Sequence, residues 1–175
     1  MTGCAPAAPA LSLRGPTAMT SIMMALALVL ASVTVVSPLA GAFEVPGEGS
    51  VSRDRYVAIG SRYYPGFTVA GAAEPLAILA LCLLLASVAP ATGPFWLIAL
   101  ALAAETLSHC LYWVLIAPVN GLLFVRRADS ARATDRGDPI ALRERQELGH
   151  IYRALAATLA FVLLVAAALV SAGGL

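Results

Sequence analysis

Apolar residues run without a wide polar face through four stretches of the chain, about 20–40, 67–89, 94–116 and 151–171. Each has the roughly 17 to 25 residues a helix needs to cross a bilayer. With no broadly polar face, they read as lipid-facing spans and not as amphipathic surface helices. The second and third are separated only by Pro90-Ala91-Thr92-Gly93-Pro94, a breaker cluster that forces an antiparallel hairpin. The third is expected to continue past Pro118 toward Phe124 with a kink, because Pro118 removes a backbone donor. In lipid every backbone polar group must be satisfied within its own helix. The pattern therefore predicts an all-α fold, an integral membrane antiparallel four-helix bundle. Residues 19–175 form that domain; residues 1–18 have no periodicity and read as a disordered tail or a mis-assigned start, with Met19, Met23 and Met24 as alternative starts.

Composition narrows the function. Of 175 residues, 60% are hydrophobic and only 12% charged, and the mean hydropathy is +0.86. Too few polar side chains remain to cover a soluble globule. That excludes an ordinary soluble enzyme, and a net charge of +1 gives no electrostatic case for nucleic acid. Cys4, Cys82 and Cys110 lack metal or disulfide spacing, and Cys82 and Cys110 are expected to pack as small apolar groups. No internal repeat, phosphate loop or dinucleotide fingerprint occurs.

All the basic residues are arginine, and four spans sort them onto two sides. Arg14 alone lies on the side of both termini and the hairpin. The remaining loops carry Arg53, Arg55 and Arg62, and the run from Arg126 through Arg145 to Arg153. The positive-inside rule then predicts a multi-pass protein of the cell inner (plasma) membrane, both termini outside and both long loops cytoplasmic. Arg14, the first apolar stretch and Ala40-Gly41-Ala42 also fit a cleaved signal peptide. Cleavage would leave three spans and reverse the arginine bias, which favours an uncleaved first span.

Ionisable groups inside a span need a partner or a purpose. Glu105 and His109, four residues apart on the third span, share a face that Tyr112, Ile116 and Asn120 continue. A carboxyl beside an imidazole can pass a proton or bind a ligand; the alternative is an intrahelical hydrogen bond that ties helices together. Glu44, Glu74, Asn120, His150 and Arg153 are expected to converge near the cytoplasmic mouth, with Glu105 and His109 deeper. The one Glu-x-x-His, Glu147 to His150, lies in a charged first turn and is a weak metal signal. No metal site and no cofactor are predicted.

Several short segments carry a family resemblance. Ala42-Phe43-Glu44-Val45-Pro46-Gly47, Tyr63-Tyr64-Pro65-Gly66-Phe67, Trp113 with Pro118-Val119-Asn120, and His150-Ile151-Tyr152-Arg153 resemble the anthrone-oxygenase-like family of small four-helix membrane proteins, long catalogued as a domain of unknown function. The resemblance spans Met19 to the C-terminus. It implies a four-span protein whose fungal relatives oxidise anthrones to anthraquinones without an evident cofactor. It also implies Asn120, His150 and Arg153 as polar site positions and Trp113 as an aromatic wall. The Phe43-Glu44-Val45-Pro46 loop departs from the enzymatic branch and looks like bacterial members.

Two readings follow, and the sequence leaves open whether the protein is an enzyme. In one, an intramembrane pocket holds a small apolar or aromatic ligand, as in an anthrone-type oxygenase. Glu105, His109 and His150 are then catalytic, and Glu74, Tyr112, Trp113, Asn120 and Arg153 bind substrate. In the other, the protein is a non-catalytic partner or assembly subunit, a homo- or hetero-oligomer in the lipid bilayer. Its last span offers small residues, Ala154, Ala156, Ala157, Ala160 and Ala166 to Ala168, for close helix approach.

Overall fold

A computed structural model describes residues 17–48, 71–120 and 139–173, with the backbone alone at 44–48 and 139–140. All regular structure among these residues is helical. Helix α1 spans Ala18–Glu48, α2 Gly71–Ser87, α3 Gly93–Asn120 and α4 Pro139–Ser171. Three of them, α1, α3 and α4, are long and apolar enough to cross a membrane, and α2 is a shorter apolar helix among the described residues. The tail before Thr17, the beginning of the predicted second span, the Tyr63–Phe67 segment and Phe124 lie outside the described residues.

Each helix departs from its hydropathy window for a local reason. Pro38 does not end α1; it is buried inside the helix, which continues to Glu48. Helix α4 starts at Pro139, well before the predicted 151. Its charged first turns are good helix formers, and Arg143 Nε donates to Glu147 Oε1 at 2.8 Å across one turn. Between α2 and α3 the turn places Ala91 at φ 62. Thr92 then caps α3, its Oγ1 accepting the Phe95 N–H at 3.3 Å. The disruption expected near Pro118 takes the form of a π-helical turn over Tyr112–Ile116, after which α3 resumes as Ala117–Asn120.

The inner faces are lined by small residues. On α1 the buried series is Met24, Ala27, Ala31, Thr34, Pro38 and Gly41, while Met19, Ile22, Leu26, Val29, Val33 and Val36 face outward. Alternating steps of three and four residues keep that inner series on one stripe. Ala80, Leu81 and Leu84 of α2, Ile98 and Ala101 of α3 and Leu164 and Ala167 of α4 complete one core with it. Large side chains such as Trp96, Leu100, Leu155 and Val162 are exposed, a distribution that water penalises and hydrocarbon does not. Cys82 and Cys110 belong to this outer surface. They were expected to pack as small apolar groups; within the chain they are exposed, because residues such as Ala80, Leu81 and Leu84 on one helix and Ala101, Ala104 and Ser108 on the other occupy the inner faces.

Two glycines mark where backbones come closest. Gly41 of α1 lies directly against the His150 ring of α4, so a Cβ there would fall inside the imidazole. At Gly149 a Cβ would stand 2.8 Å from Ile116 Cγ1 and 3.1 Å from Leu115 Cβ, whereas at Gly71 nothing lies within 4 Å. Gly149→Ala should therefore lower stability by about 1–3 kcal/mol through overpacking. Gly71→Ala should leave it unchanged or slightly raised. Thermal melts of the two variants in one detergent would show this ordering; equal melting would mean that α3 and α4 do not meet at Gly149.

Candidate functional site

Glu74 of α2 organises the polar groups. It is 3% exposed, and so is Arg153 of α4. Arg153 Nη2 donates to Glu74 Oε1, and His109 Nδ1 of α3 lies 2.8 Å from Glu74 Oε2. Both carboxylate oxygens are thus engaged, each by a different helix. Behind Arg153 the Tyr112 ring lies 5.0 Å from the guanidinium carbon, placing a π face against the charge. The cation is held between a carboxylate and an aromatic face, the pairing a buried arginine requires.

The chain of contacts continues outward from His109. Trp113 Nε1 donates to His109 Nε2 at 3.0 Å. An indole N–H can only donate, so Nε2 carries the lone pair and Nδ1 carries the proton given to Glu74. His109 is therefore a neutral imidazole in a fixed tautomer, oriented by a carboxylate on one nitrogen. Trp113 itself is 61% exposed. The aromatic wall implied by the resemblance is thus an outward-facing side chain whose N–H, not its ring face, meets the site; the His109 and Trp113 ring planes stand at 79°.

The pairing of Glu105 with His109 does not form. Both nitrogens of His109 are committed to Glu74 and Trp113, so neither remains for the carboxyl one turn back. Glu105 is 1% exposed, and neither of its carboxyl oxygens has a hydrogen-bond partner. Thr34 gives its hydroxyl to the Ala31 carbonyl of its own helix at 3.1 Å.

The other predicted site residues divide. His150 packs on Gly41, and its Nδ1 is buried without a partner. Asn120 does not face the Glu74 cluster with a free carbonyl; its Oδ1 accepts from Gln146 Nε2 at 3.0 Å, tying the end of α3 to α4. The Glu44 side chain lies outside the described residues. Of the predicted mouth cluster, Glu74 and Arg153 meet, joined by His109 and Tyr112 from the stripe on α3. Glu147, the carboxylate of the Glu-x-x-His, is bonded to Arg143.

Sequence reasoning missed the cross-helix role of Glu74 and the donor role of Trp113. The four-residue spacing of Glu105, His109 and Trp113 was the available signal for the second, since it stacks them on one face. Arg145 was also missed. Its Nη2 donates to the Val114 carbonyl at 2.7 Å, the acceptor that Pro118, lacking an N–H, leaves open in α-helical register.

Comparison with protein families, curated proteins and solved structures found no match. The site is therefore read from its own geometry.

The two buried carboxyls should respond oppositely to removal. Glu74→Leu strands the Arg153 charge and should cost about 3–5 kcal/mol. The double variant Glu74→Leu, Arg153→Leu should regain most of that loss. Glu105→Leu removes a group with no partner and should melt at or above wild type. Melting curves that rank Glu105→Leu below Glu74→Leu would reverse this assignment.

Proposed function

We propose that this is a multi-pass integral membrane protein, an antiparallel four-helix bundle holding an intramembrane acid–base site for a small apolar or aromatic molecule. The outward-facing apolar stripes support insertion. The arginine distribution supports placing both long loops in the cytoplasm and both termini outside, in the inner (plasma) membrane. Single cysteines at Ser50 and Ser130, in a background without native cysteines, should be labelled only from the cytoplasmic side; labelling of either from outside would reverse the topology.

The observation that carries the site reading is the Arg153–Glu74–His109 chain. A carboxylate fixed on Nδ1–H orients the ring and stabilises the imidazolium that forms when Nε2 takes a proton. Arg153, bonded to the other oxygen, holds that carboxylate in place. An apolar surrounding dissolves hydrophobic substrates and dioxygen alike.

The resemblance to anthrone-oxygenase-like proteins supports one chemistry for such a base. Loss of the hydroxyl proton of the anthrol tautomer gives the same anion as loss of the ring-methylene proton; its ring carbon combines with dioxygen and regains a proton as a hydroperoxide. Loss of water then leaves the carbonyl. His109 is the base in this scheme and Glu105, with unpartnered oxygens, the group that meets a substrate oxygen. His150 lies on the α1 side of α4, against Gly41, and has a supporting place.

The subunit reading drew on the alanines of the last span. Ala154, Ala156, Ala157, Ala160 and Ala167 are buried within the chain itself, which leaves the half-buried Ala166 and Ala168 as the members of that set open to a partner helix.

The test is dioxygen uptake with an anthrone by purified full-length protein in lipid nanodiscs. His109→Leu keeps the Glu74–Arg153 pair but empties Glu74 Oε2, so it should cost about 1–3 kcal/mol of stability while still folding, and lose about 10²-fold or more in rate, the contribution of a general base. A wild-type rate no higher than protein-free nanodiscs, with no aromatic molecule co-purifying, would refute the reading.

A further inference from the structure

His109 as a base raises a conflict that the geometry itself resolves. The lone pair that has to accept a substrate proton, on Nε2, already accepts the Trp113 indole N–H at 3.0 Å. Everything on the other side of the ring is buried and fixed: Glu74 and Arg153 are each 3% exposed, and both Glu74 oxygens are occupied. Everything on the Trp113 side is open. The His109 side chain is 26% exposed, and Trp113, 61% exposed, leans edge-on against Tyr112 with ring centroids 5.4 Å apart. Among the described residues its hydrogen bond is the one to His109.

We propose that Trp113 is an indole plug on the outer face of the bundle. Its N–H stands in for the O–H of a bilayer-dissolved ligand, which reaches His109 sideways from the lipid and displaces it. This rests on the reading of His109 as the base. It adds the direction of approach, the ligand class and a residue that sets specificity.

The ligand is a hydroxyl-bearing molecule with an apolar body. A donor is required because Nε2 only accepts in this tautomer. An apolar body is required because Val114 and Leu107, like Trp113, face outward on this helix, so the approach lies along hydrocarbon-compatible surface. The exchange trades one N–H donor for one O–H donor, so His109 is never left with a bare lone pair. Little hydrogen-bond energy is lost as the indole swings out, and ring contacts with the ligand replace those with Tyr112.

Trp96 and Trp113 are the two tryptophans, and Trp96 packs with Phe95 at the beginning of α3, away from His109. Full-length Trp96→Phe protein, labelled with 15N in its tryptophan ring and held in lipid nanodiscs, therefore reports Trp113 through a single indole N–H resonance. The probes are 4-octylphenol and its methyl ether 4-octylanisole, which share a body and differ in the O–H. The phenol should move the resonance upfield and saturably as the bond to His109 breaks; the ether should leave it in place. Trp113→Phe, which opens Nε2, should bind 4-octylphenol about three- to tenfold tighter in titration calorimetry, the worth of one net hydrogen bond. If the phenol binds, and His109→Leu abolishes that binding, while the resonance stays fixed or Trp113→Phe binds more weakly, the plug is refuted and the base reading stands. If the phenol binds neither wild type nor Trp113→Phe, the base reading falls and the plug with it.

Discussion

The Glu74 carboxylate is the constraint on which the rest of the polar architecture depends. A buried anion is tolerated only when its charge is answered and its lone pairs are filled. Here Arg153 answers the charge on one oxygen and His109 fills the other, so three helices are positioned by one functional group. The geometry propagates outward. Fixing Nδ1 sets the His109 tautomer, the tautomer aims Nε2 at Trp113, and the place of Arg153 brings Tyr112 against its guanidinium. Glu105, buried one turn before His109 on α3, has no hydrogen-bond partner on either oxygen and takes no part in this chain of contacts.

That arrangement needs helices close enough for side chains to bridge them, and the small inner residues supply the closeness. Alanine, glycine and threonine on the buried stripe of α1, with alanine on α4, leave no bulk to hold the backbones apart. At Gly149 and Gly41 the approach is so near that even a methyl group has no room. The large residues lie on the outer surface, the inverse of a water-soluble core. Packing and chemistry are thus coupled: loosening the small-residue stripe would lengthen the reach that Arg153 and His109 must make.

Much of this was legible in the chain. Helical class and the middle of each long apolar helix follow from hydropathy, which the lipid requirement makes a strong signal. Helix ends did not, because they are set by local chemistry that hydropathy averages away. Helix α4 begins at Pro139, with the Arg143–Glu147 pair bridging one of its early turns, and Pro38 is accommodated within α1. The residues of the candidate site were readable as ionisable groups in apolar surroundings, but their partners were not. Spacing along a helix places Glu105 and His109 on one face. It cannot say that a residue 35 positions earlier will reach His109 first. Intrahelical geometry is written in sequence separation, while competition between helices for a ring nitrogen is a property of the packed helices.

Pro118 shows what such competition does to a defect. A proline inside a helix normally weakens it by leaving a carbonyl without its donor. Here the Val114 carbonyl is taken by Arg145, 31 residues later and on another helix. The flaw in one segment thereby becomes an acceptor for the next, met by a charged donor on a long side chain. During synthesis the acceptor exists before its donor has been made, so α3 is complete only once α4 has docked. Among the described helices, the end of α3 thus depends on a donor that the chain supplies only later, from α4.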